Sequence, residues 1–82
     1  MKYVAITQTK TDSLKYSRDL QQKGISCEVR PAPRVISKSC TPAVYIEYGE
    51  NFRALITKEV YKLYRVNEKK QYALLYAPWQ NN

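Results

Sequence analysis

Ala43-Val44-Tyr45-Ile46-Glu47-Tyr48-Gly49-Glu50-Asn51-Phe52-Arg53-Ala54-Leu55-Ile56-Thr57-Lys58-Glu59-Val60 changes period at Gly49. Residues 43–48 are rich in β-branched and aromatic side chains and read as a strand. After the Gly49-Glu50-Asn51 opening, Phe52, Leu55, Ile56 and Val60 recur at helical spacing and predict an amphipathic helix with its apolar stripe in the core. A strand followed directly by a helix makes the second half of a larger alternation whose first half lies upstream.

Toward the N-terminus, Lys2 to Thr7 is a first strand, with Tyr3, Ala5 and Thr7 on one face and Val4 and Ile6 on the other. Thr9 to Asp12 supplies N-cap candidates for a weakly amphipathic helix carrying Leu14, Ser17, Leu20 and Gln21, and Gly24 sits where a left-handed C′ residue belongs. Ile25 to Arg30 alternates, putting Ile25, Cys27 and Val29 on a buried face, and Pro31 must end that strand. Toward the C-terminus, Tyr61–Val66 and Gln71–Ala77 read as strands around the polar turn Asn67-Glu68-Lys69-Lys70. The order is β-α-β-β-α-β with an extra C-terminal strand. The expected architecture is an α+β ferredoxin-like split β-α-β sandwich, with two helices on one sheet face and the other face open. Residues 1–77 are expected to form one domain, with 78–82 as a tail.

The 82 residues contain no histidine and two cysteines, which removes Ser-His, Cys-His and His-metal chemistry and any thiolate-rich zinc site. No metal or cofactor is expected. Fourteen Lys and Arg against seven Asp and Glu give a net charge of +7, which favours an anionic partner. No apolar run approaches the ~18 residues that a membrane-spanning helix needs. Met1 to Thr7 has neither a long apolar stretch nor a small-residue cleavage site, so a cytoplasmic location away from membranes is expected.

The densest chemistry lies between Pro31-Ala32-Pro33 and Pro42. Arg34, Ser37, Lys38, Ser39 and Cys40 bring two cations, two hydroxyls and a thiol into one loop. A thiol acts as a nucleophile only as its anion, which neighbouring cations stabilise; Arg34 and Lys38 can supply that field, and Ser37 and Ser39 can hydrogen-bond an anion or the sulfur. On residue type alone, Cys40 is equally an unreactive loop thiol, Arg34 a cation bonding loop carbonyls, and the two serines turn formers. Cys27, between Ile25 and Val29, reads as core filler.

Gly24-Ile25, Pro31-Ala32-Pro33-Arg34 and Ser37-Lys38-Ser39-Cys40 resemble, in order and spacing, the pattern of the selenium/sulfur carrier-like family of small bacterial proteins. The resemblance covers roughly residues 1 to 60. It implies Cys40 as acceptor of a persulfide or perselenide, with Arg34, Ser37 and Ser39 shaping its surroundings and Lys38 at a variable position. It also implies a donor protein and an acceptor enzyme as partners, and a carrier more than a turnover enzyme. The chain departs from the family's pattern at Thr41-Pro42, where a glycine usually follows the cysteine. Proline removes an amide donor there, leaving more of the anion stabilisation to Arg34.

A different reading rests on the C-terminal half. Lys58, Lys62, Arg65, Lys69 and Lys70 interleave with Tyr61, Tyr64 and Tyr72, residue types that bind phosphates and stack on bases in a surface for nucleic acid, or that meet an acidic protein. The same tyrosines also serve a solvated hairpin by cross-strand packing. Tyr-rich edge strands offer a third role, pairing between copies as a homodimer.

Overall fold

The structure is a computed structural model and describes residues 1–36 and 41–77. Its centre is β1 (Lys2–Ile6), paired along both edges. β1 runs antiparallel to β3 (Pro42–Glu47), Lys2 facing Glu47 and Ile6 facing Ala43. On its other edge it runs antiparallel to β4 (Lys62–Val66), Lys2 facing Val66 and Ile6 facing Lys62. β2 (Ser26–Pro31) extends the sheet beyond β3 and β5 (Tyr72–Tyr76) beyond β4, giving a five-stranded antiparallel sheet of order β2-β3-β1-β4-β5. Successive side chains of a strand point to opposite faces, so Tyr3 and Ala5 enter one apolar layer and Val4 and Ile6 another.

α1 (Lys10–Gln22) covers the first layer through Tyr16 and Leu20, at most 1% exposed. The helix begins as expected: the Thr9 hydroxyl accepts from the Asp12 amide at 3.1 Å. It ends at Gly24, whose φ of 77° needs no Cβ avoidance, with the Gly24 amide donating to Gln21 O at 3.0 Å and the Ile25 amide to Leu20 O at 2.9 Å. That pair of bonds is a Schellman cap. The inward stripe is Ser13, Tyr16, Ser17 and Leu20, rotated from the expected one, and Leu14 is 47% exposed. Two serines lie on the inner face, and Ser13 shares a 2.5 Å hydroxyl bond with Thr7 just beyond the end of β1. β1 and β2 both run antiparallel to β3, so the two are parallel with β3 between them and α1 as their connection.

The second helix is corrected. Among the described residues α1 is the one α-helix, and the Gly49–Val60 segment forms a single 3-10 turn, Phe52–Leu55, capped by the Asn51 side chain accepting from the Arg53 amide at 3.0 Å. An α-helix would require the Glu59 amide to donate to the Leu55 carbonyl. That carbonyl instead accepts from the Tyr16 hydroxyl at 2.5 Å, and the Glu59 amide donates to Thr57 Oγ1 at 3.3 Å. Thr57 thus offers a local side-chain alternative to the helical ladder, and Ile56 is extended at φ −87°, ψ 115°. The apolar stripe was nonetheless a true core signal: Leu55 and Val60 are buried, with Phe52 and Ile56 packed against them.

β4 and β5 form the expected hairpin. In the turn, Asn67 Oδ1 accepts from the Lys69 and Gln71 amides at 2.9 Å each, and Lys70 adopts φ 60°. The register shifts between Leu63 and Tyr64, so Tyr64 faces Leu74 while Leu63 faces Tyr76. The sheet face away from α1 is less open than expected. Val4, Ile6, Ala43 and Tyr64 are at most 9% exposed there, and Tyr45, Tyr61 and Tyr72 pack against them.

Candidate functional site

Two regions hold the residues singled out above. The first is the base of the prolyl loop. Pro31 and Pro42 face each other at the end of the β2-β3 pair, where neither needs an amide hydrogen, and the Ala32 amide donates to Thr41 O at 2.8 Å to close the stem. Pro33 to Ile36 then turns, with the Ile36 amide donating to Pro33 O at 3.1 Å. Ile36 packs inward against the second apolar layer, while Arg34 and Val35 are exposed. A cleft of about 400 Å³ lies beside this stem, lined by Ile6, Thr7, Gln8, Ile36, Thr41 and the Tyr61-Lys62 pair. Ser37, Lys38, Ser39 and Cys40 lie outside the described residues.

Cys27 is described, and its surroundings are those of a structural thiol. It is half-buried beneath α1, with Sγ donating to Ser17 O at 3.4 Å. Burial pushes the thiol above its ordinary range, so it stays protonated at neutral pH.

The second region is the face opposite α1. Lys58, Lys62, Tyr64, Arg65, Lys69 and Lys70 do not share one surface. Tyr64 is 9% exposed inside the second layer, and Arg65 faces Tyr3 in the register, on the opposite side of the sheet. Lys62 lies beside the loop cleft with its ammonium 5.6 Å from the Tyr61 ring, and Lys58 occupies the turn beside Glu59. Lys69 and Lys70 sit in the hairpin turn beyond the other end of β4. Sheet order joins those two lysines and Tyr72 to Lys2, Arg30 and Tyr45, which the sequence does not single out. Lys2, Arg30, Tyr45, Lys70 and Tyr72 line an open trough of about 1380 Å³ across the sheet. Arg30 holds its guanidinium 4.5 Å above the Tyr45 ring, and the Tyr45 hydroxyl donates to Pro31 O at 2.8 Å. Burial first, then Tyr72, pushes the Tyr45 hydroxyl above the ordinary phenol value against the opposing pull of Arg30. The signal available in sequence was the alternation of Tyr45 with Val44 and of Arg30 with Val29, which put both on the face away from α1.

Among the described residues no three His, Cys, Asp or Glu side chains converge as metal ligands, and no helix is long and apolar enough to cross a membrane. Searches of curated proteins and of solved structures gave no match. A family model described as "Putative Se/S carrier protein-like" matches residues 2–72. The match runs past the resembling segment, through β4 and the hairpin turn to the first residue of β5.

Proposed function

The chain belongs to the Se/S carrier protein-like family, and from that premise we propose that Cys40 is the atom-carrying residue, taking sulfur or selenium from a donor protein and passing it to an acceptor enzyme. The family match carries this reading. Two further observations support it. Cys27 is engaged with the helix backbone and has its ionisation suppressed, which leaves carriage to the other of the two cysteines. The turn before the loop presents Arg34 to solvent, where a cation can meet an incoming anion.

The step is an exchange. The Cys40 thiolate attacks the outer sulfur of a donor persulfide and a new S–S bond forms. The donor's own S–S bond breaks, and its electron pair leaves on the donor cysteine, so no external oxidant or reductant is needed. Selenium transfer follows the same balance from a perselenide. Release to the acceptor repeats the exchange with the carrier as donor. In this reading Arg34, Ser37, Lys38 and Ser39 serve to favour the charged sulfur. In this reading residues 1–77 act as one domain in the cytoplasm. The β2-β3-β1-β4 order around α1 supports a scaffold related to the ferredoxin-like sheet, with a 3-10 turn in the second crossover.

The test is loading by a cysteine desulfurase in the presence of cysteine, read by intact mass. Cys27→Ser should gain the mass of one sulfur atom and Cys40→Ser should gain none. Equal loading of the two variants overturns the assignment.

A further inference from the structure

We infer that the trough across the face opposite α1 binds a single-stranded nucleic acid, with bases against Tyr45 and Tyr72 and phosphates on Lys2, Lys69 and Lys70. This stands independently of the carrier reading, since it uses neither cysteine.

From β2 to β5 there are four inter-strand gaps, roughly 19 Å of width, along which Arg30, Tyr45, Val4, Val66 and Tyr72 follow one another on the same face. Tyr45 and Tyr72 are half-buried, each packed against the second apolar layer and in part exposed on this face. The Arg30 guanidinium lies 4.5 Å from the centre of the Tyr45 ring, so a base that reaches that face displaces the guanidinium or stacks on it, while Tyr72 offers a second ring. Stacking of a base on such groups is indifferent to sequence.

Charge gives the second half. Glu28 is paired with Arg30 at 3.5 Å and Glu47 with the N-terminal ammonium at 3.8 Å. Among the described residues Lys2, Lys69 and Lys70 make no ion pair, and Glu68 is the remaining acid on the trough wall. The surplus is therefore positive and lies at the trough rim, with the aromatic floor between. An acidic peptide would use the cations and leave the ring faces unused. A single strand uses both.

Lys70 holds φ 60° in the hairpin turn, a conformation that glycine or asparagine adopts at less cost. A lysine there places a cation at the rim where a stability-optimised turn would carry none.

Fluorescence anisotropy with a short labelled oligouridylate, within the ~4–16 nucleotides such platforms cover, tests the proposal. Saturable binding is expected, weakening about 20-fold between roughly 50 and 200 mM salt if three phosphates are neutralised. Tyr72→Ala and the double variant Lys69→Glu/Lys70→Glu should each lose about tenfold or more in affinity. Lys10→Glu/Lys58→Glu changes the same net charge away from the trough and should bind nearly as the parent does. Lys70→Gly should melt higher and bind more weakly, a combination that misfolding cannot produce. Absence of binding at low salt, equal loss in the Lys10/Lys58 variant, undiminished binding by Lys70→Gly, or displacement by polyglutamate at equal charge each overturns the proposal.

Discussion

At the residue scale, the molecule turns on groups that compete for the same hydrogen bonds. Tyr16 takes the Leu55 carbonyl and Thr57 takes the Glu59 amide, and together they remove the bond that would have propagated a helix. The Glu59 carboxylate is then drawn inward. The Thr57 hydroxyl donates to it at 2.7 Å and Lys15 lies 3.8 Å away, and the hydrogen bond above all holds its pKa below the ordinary glutamate value despite opposing desolvation. The folded state therefore binds fewer protons than the unfolded chain through this group. Its contribution is present above the unfolded pKa of about 4.3 and lost as pH falls through the lower folded value. Glu59→Gln should lower stability at neutral pH, and the gap to the parent should close as pH drops below about 4, read by chemical denaturation across a pH series. A gap that persists undiminished in acid would show that Glu59 acts through packing alone.

At the scale of elements, the caps were legible and the helix interior was not. Thr9 and Gly24 do what their residue types predict, because capping is a local matter of one side chain or one φ angle. Gly24→Ala should cost about 1 kcal/mol, since φ is 77° and an added Cβ meets nothing within 4 Å, leaving backbone strain as the penalty. Thermal unfolding measures it; an unchanged midpoint would mean that the Schellman cap does not constrain the helix end. The Phe52, Leu55, Ile56 and Val60 spacing misled for an instructive reason. Helical periodicity reports which side chains go inward, and a 3-10 turn, an extended residue and a second turn deliver the same four to the core. On α1 the expected stripe holds at Ser17 and Leu20 but turns toward Ser13 and Tyr16 in place of Leu14 and Gln21, because the Ser13 hydroxyl bonds Thr7 and the Tyr16 hydroxyl bonds Leu55 O, partners that hydrophobicity does not register.

For the whole molecule, position in the sheet sets stability and exposure together. β1 has both edges paired and both faces buried, whereas β5 pairs along one edge and exposes Leu74 at 45%. Native-state amide exchange should therefore be slowest at Val4 and Ala5 and markedly faster along β5. Equal protection of β5 would indicate that another chain covers that edge. The same arrangement explains why the basic set chosen from sequence dissolved. Arg65 and Lys62 are close in sequence but alternate across the sheet, while Lys2 and Lys70, 68 positions apart by number, meet at one rim.

What the chain determined locally was its strand content, its helix caps, the prolyl boundaries of the loop and the family pattern around it, each a matter of neighbours within a few residues. Tertiary structure completed what Thr57 began locally in keeping the second amphipathic segment from being a helix, because the group that takes the Leu55 carbonyl comes from Tyr16, 39 residues away. It also decided which tyrosines and cations share a face, because strand order is set by long-range pairing, and no local periodicity encodes that.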